Sequence, residues 1–128
     1  MKTIISTDNA PAPIGPYNQA VLVGQTLYTS GQIALDAKSG KLILDDITTE
    51  TTQVMTNLAA VLHAANMSFS DVVKASIFIN DMDNFGAINK VYGSYFDDDT
   101  APARETVQVA RLPKDVNVEI SVIAIKSE

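Results

Sequence analysis

Two charged residues stand where a purely structural strand has no need of them. Arg104 opens the apolar run Arg104–Ala110, and Glu119 lies inside the run Val116–Ile125. A short turn containing Pro113-Lys114-Asp115 joins the runs. Arginine presents a planar fork of donors that grips a carboxylate through paired hydrogen bonds. A glutamate nearby can hold a water and take its proton. Together they fit attack of water on a small carboxylate-bearing molecule. They also fit a structural ion pair across the sheet or a subunit boundary, a common arrangement that often contributes little.

Other chemistries have less support. The chain has no cysteine, hence no thiolate nucleophile, thiolate metal site or disulfide, which fits a cytoplasmic protein. Its one histidine, His63, argues against a Ser-His-Asp triad and against a histidine-based zinc site. Asp97-Asp98-Asp99 lacks the spacing of a calcium loop and reads as a solvated turn. The net charge of −6 argues against general nucleic-acid binding, which needs a basic surface. No stretch is long and apolar enough for a transmembrane helix, and the N-terminus lacks a signal-peptide core. Length and composition (128 residues, 46% hydrophobic, 19% charged) fit one domain spanning 1–128.

The elements that would position the two charges follow from pattern. Residues 3–6 suit a short edge strand. Asn9–Tyr17 holds three prolines and a glycine, cannot be helical, and would fix Tyr17 in place. Residues 20–23 and 26–35 read as a hairpin about Gly24-Gln25, interrupted at Ser30-Gly31, where a glycine inside a strand marks a bulge or a close approach. Residues 36–40 form a turn and 41–44 a short extended piece. Thr48 or Thr49 opens a helix ending near Asn66, with Val54, Met55, Leu58, Val61 and Leu62 on one face and His63 at its exposed margin. A strand follows from Val72. A second helix is capped by Asp81–Asn84, with Phe85, Ile88, Tyr92, Tyr95 and Phe96 on one side and Asn89 off the stripe. The order predicts an α+β domain with both helices on one face of a single sheet.

Alternation then sorts the last two strands. Val107 and Val109 are expected under the helices with Val118, Ile120, Val122 and Ala124. Arg104, Thr106 and Gln108 are expected on the helix-free face with Glu119, Ser121, Ile123 and Ile125. That face is too apolar to be simply solvated, which predicts a covering subunit.

Asn9-Ala-Pro, Ile14-Gly-Pro-Tyr17, Gln19-Ala-Val21, Ser30-Gly-Gln-Ile33, Asp71-Val-Val-Lys74, Pro102-Ala-Arg104, Val109-Ala-Arg-Leu-Pro-Lys114 and Val118-Glu-Ile120 occur in this order. In these pieces, from about Thr3 to Lys126, the sequence resembles the RidA (YjgF) family of reactive intermediate/imine deaminases. The resemblance implies a chorismate-mutase-like fold with a mixed six-stranded sheet, a homotrimeric barrel with helices outside, and three clefts between subunits. It implies hydrolysis of 2-iminobutanoate and 2-iminopropanoate, or their enamine tautomers, to 2-oxo acids and ammonia, without metal or organic cofactor. Arg104 would bind the substrate carboxylate and Glu119 would position the water. Tyr17, Ser30, Gly31 and Thr106 would line the cleft, and Asn89 would join from the neighbouring subunit. Alternatives are a trimer that binds small carboxylates without turnover, or an endoribonuclease or translation inhibitor. Glu105 departs from the family pattern, which usually has a small or apolar residue after the arginine. Alternation points it away from Arg104.

Overall fold

The computed structural model describes residues 1–127. Six strands form one mixed sheet: β1 (Lys2–Ile5), β2 (Ala20–Val23), β3 (Thr26–Thr29), β4 (Val72–Ile79), β5 (Ala103–Gln108) and β6 (Val118–Ile125), in the order β1-β2-β3-β6-β4-β5. All neighbours are antiparallel except β4 and β5, which run parallel. The expected sheet and helix count are borne out.

The hairpin's second arm is shorter than expected. β3 stops at Thr29, and the chain then swings beside β6, where Gln32 and Ile120 exchange backbone hydrogen bonds of 2.8 and 3.1 Å. The piece at 41–44 contributes only a bridge between Leu42 and Leu35.

Helix α1 (Ile47–Ala64) begins earlier than the threonines suggested. Its cap is Asp46, whose carboxylate accepts from the Thr49 N–H at 2.7 Å. The Thr51, Thr52 and Thr56 hydroxyls bond back to carbonyls four residues earlier. Val54, Met55, Leu58, Val61 and Leu62 have no exposed surface, and each such burial contributes roughly 1.5–3 kcal/mol. His63 is exposed, as its spacing predicted. Helix α2 (Phe85–Gly93) sends Ile88 and Tyr92 into the same core. The sheet's share of that core comes from alternate residues: Ala75, Ile77 and Ile79 of β4, and Val118, Ile120, Val122 and Ala124 of β6.

The opposite face carries no helix. Tyr28 and Ile125 are each 46% exposed there, and Val107 is 41% exposed. Phe78 and Ile123 lie beside them, half-buried.

Candidate active site

Glu119 leaves β6 on the helix-free face, opposite Phe78 in the register. Its side chain folds over Gly31, at the crossing of the 30–33 segment and β6. A Cβ on Gly31 would stand 2.3 Å from Glu119 Oε2 and 2.7 Å from Cδ, so only glycine leaves the carboxylate room. Glu119 is half-buried and makes no salt bridge among the described residues. Burial pushes its carboxyl above the usual glutamate range. It opens into a cavity of about 140 Å³ with Ile14, Tyr17, Gly31, Gln32 and Lys114 among the walls. Ser30 borders a neighbouring hollow that shares Tyr17, and its hydroxyl donates to the Asn18 carbonyl at 2.5 Å.

Two buried amides hold this side of the site. Gln19 Nε2 donates to the carbonyls of Thr7, Ala10 and Pro11, and its Oε1 accepts from the Thr7 N–H at 2.7 Å. These bonds tie the proline-rich loop, and so Tyr17, to the start of β2. Asn57 Nδ2 donates to the Ile33 and Leu35 carbonyls and fixes the segment after Gly31 to α1. Glu50 anchors the other flank. Fully buried, it accepts from the Asn117 N–H at 2.8 Å and from Asn117 Nδ2 at 2.7 Å, two residues before Glu119. The sequence pattern assigned Gln19, Asn57 and Glu50 no part in the site. Of the three, Asn57 stands on the apolar stripe of α1, three residues after Val54 and four before Val61, and that is the available signal.

Arg104 lies elsewhere. In the parallel register it pairs with Ala75, Thr106 with Ile77 and Gln108 with Ile79, all partners buried beneath the helices. Arg104 and Thr106 therefore share the helix side of the sheet, and Val107 lies on the open side. The expected placement of Arg104 and Thr106 with Glu119 is wrong. The expected burial of Val107 fails with it, and Val109 falls beyond the strand's end. Hydropathy within β5 favoured Val107 and Val109 for the core, but the helix-free face is apolar there too, with Phe78 beside Val107, so Val107 goes to that face.

On the helix side Arg104 is bound to α2. Nη1 donates to Asn89 Oδ1 at 2.6 Å, and the guanidinium carbon stands 5.6 Å from the Phe85 ring centre and 5.2 Å from that of Tyr92. Asn89 is thus joined to Arg104 within one chain. Thr106 Oγ1 and the Tyr92 hydroxyl are buried without a hydrogen-bond partner among the described residues. Burial raises the Tyr92 pKa, and the Arg104 charge opposes the shift. Glu105 points away, as expected. It pairs with Lys74 at 2.7 Å and accepts from the Ser76 hydroxyl, and these two partners hold its carboxyl below the usual range.

Arg104 and Glu119 thus face opposite sides of the sheet. Two strand spacings and three residues of register separate them, about 14 Å between Cα positions. They form no ion pair within the chain. Arg104 stands on the edge strand β5, and Glu119 in a cavity on the other face. Among the described residues no group of three or more His, Asp or Glu side chains could hold a metal ion.

The pattern of the family described as Endoribonuclease L-PSP matches residues 7–126. A RutC family protein of Pyrococcus horikoshii is 48% identical over 126 residues, covering 98% of this chain and 99% of its own. A protein of Capra hircus called 2-iminobutanoate/2-iminopropanoate deaminase is 47% identical, covering 98% of this chain and 91% of its own. The crystal structure of E. coli TdcF with bound serine superposes with a TM-score of 0.91 at 42% identity, covering 98% and 99% of the two chains.

Proposed function

The chain belongs to the endoribonuclease L-PSP family, the family of the RutC and Rid proteins, and from that premise we propose that it hydrolyses 2-iminobutanoate and 2-iminopropanoate to 2-oxo acids and ammonia. The carrying observation is the separation of two complementary half-sites. Arg104, with Asn89 and Thr106, stands at an open sheet edge with most of its N–H donors uncommitted. Glu119, with Tyr17 and Gly31, lines a cavity large enough for a small molecule. One chain cannot bring them together. Two copies can, with the β5 edge of one against the Glu119 cavity of the next. The apolar helix-free face supplies the surface for such packing, and closing the contact in a ring gives the homotrimer.

The chemistry is modest. Arg104 grips the substrate carboxylate and sets the imine carbon near a water held by Glu119. With the imine nitrogen entering protonated, Glu119 takes a proton from the water as its oxygen bonds to that carbon, and the C=N electron pair moves to nitrogen, leaving a neutral amine. Glu119 returns that proton to nitrogen and then takes the hydroxyl proton as the C–N bond breaks and the carbonyl forms, which releases ammonia and the 2-oxo acid. Burial suits Glu119 to this exchange by raising its pKa toward neutrality. The relative called a deaminase supports the substrate, and serine bound to TdcF supports recognition of a small amino-acid-like carboxylate.

The bound serine also favours a second reading, a trimer that binds small carboxylates without turnover. The test couples a threonine dehydratase to this protein and follows the imine trapped by semicarbazide. Faster loss of imine than in buffer supports the deaminase. Unchanged loss together with saturable serine binding favours the binding protein. The family's ribonuclease description has less behind it here, since the chain carries a net charge of −6 and its single histidine is exposed.

A further inference from the structure

We propose that Phe85 and Tyr92 are positioning residues that clamp the Arg104 guanidinium in its carboxylate-gripping orientation before substrate arrives. Phe85, Asn89 and Tyr92 follow one another on α2 at spacings of four and three, so they share one face of the helix. That face lies over β5, where Arg104 emerges. Both ring centres fall within the range at which an aromatic face attracts a cation. Asn89 fixes one nitrogen by a short hydrogen bond, so ring contacts and bond together leave the long side chain little rotamer freedom. The rings accept no conventional hydrogen bond, which leaves the other N–H groups for a ligand. Tyr92 is 95% buried and packs its ring 4.9 Å from Phe96, which in turn stands 5.5 Å from Phe69. This aromatic cluster gives the clamp a rigid backing. A lysine at 104 would have no planar fork for the carboxylate, and an unclamped arginine would have to be ordered at each binding event.

The inference rests on the deaminase reading only for its kinetic measurement. Its structural measurement is the side-chain Nε–Hε NMR signal of Arg104 in the protein without substrate. Ring currents displace that signal from the free-arginine position, and Phe85→Leu and Tyr92→Leu return it toward that position. Tyr92→Phe, which keeps the ring, leaves it in place. In the imine assay the two leucine variants raise KM about three- to tenfold with kcat within about twofold, as loss of ground-state and transition-state binding alike requires. An Arg104 signal unmoved in the leucine variants overturns the clamp. So does a KM defect of equal size in Tyr92→Phe and Tyr92→Leu, which would assign the effect to the hydroxyl. Should Tyr92→Leu fail to fold, the half-buried Phe85 carries the comparison. A wild-type protein that hydrolyses no imine overturns the deaminase reading, and the Arg104 signal then decides the clamp by itself.

Discussion

Gly31→Ala separates the fold from the site. The added methyl would meet Glu119 Oε2 at 2.3 Å, whereas ordinary contact begins at 3.4 Å, so the carboxylate must retreat by the difference, about 1.1 Å. The three nearest atoms all belong to the Glu119 side chain, and Gly31 has no left-handed backbone to strain. The fold therefore pays little, about 0.5–1.5 kcal/mol for a displaced rotamer. At this chain length that is a fall of several degrees in melting temperature. The site loses far more, because displacing a catalytic group by about 1 Å costs on the order of a hundredfold in rate. Thermal melting by circular dichroism and kcat/KM from the semicarbazide-trapping assay measure the two effects. A double-mutant cycle sharpens the result. In a Glu119→Gln background already slow by about a hundredfold or more, Gly31→Ala should cost much less, since both changes act on one group. Near-wild-type kcat/KM in Gly31→Ala would refute the assigned role of the carboxylate position, as would full additivity in the cycle.

Other outcomes follow from the same geometry. Arg104→Ala should lower kcat/KM by about a hundredfold or more, mostly through KM, because a bidentate charged contact is lost; initial rates across imine concentrations check it. Activity should fall with acid as Glu119 takes up a proton, with the limb of the pH profile above the ordinary glutamate range. A carboxyl raised in the folded state favours folding below its ordinary pKa and loses that contribution as pH rises through the raised value. Glu119→Gln should therefore melt above wild type at about pH 8, and the gap should close at about pH 4. Glu50→Ala removes the acceptor for two Asn117 donors and should cost about 2–4 kcal/mol in urea denaturation. Tyr28→Glu on the apolar helix-free face should reduce the mass in analytical ultracentrifugation to that of one chain without loss of helical signal, if that face is covered by further copies.

Pattern alone identified both helices and the strands, although it ran the hairpin's second arm past Thr29 and opened α1 too late. Helical spacing from Val54 to Leu62 fixed the buried face of α1, and strict alternation from Val118 to Ala124 fixed the two sides of β6. Ser30-Gly31 in a strand-like run marked a close approach, and the atom approaching is the Glu119 carboxylate. The ordered motifs carried the family. What the sequence did not determine was the side of the sheet on which Arg104 stands. Periodicity says which residues of a strand point together, but not which set faces the core, and within β5 hydropathy favours the set of Val107 and Val109, although Val107 lies on the open side. The parallel pairing of Ala75 with Arg104 settles it, and that register is a long-range contact between strands separated by α2. The same tertiary fact separates Arg104 from Glu119, brings the arginine beneath Phe85, Asn89 and Tyr92, and leaves each charge as half of the proposed site.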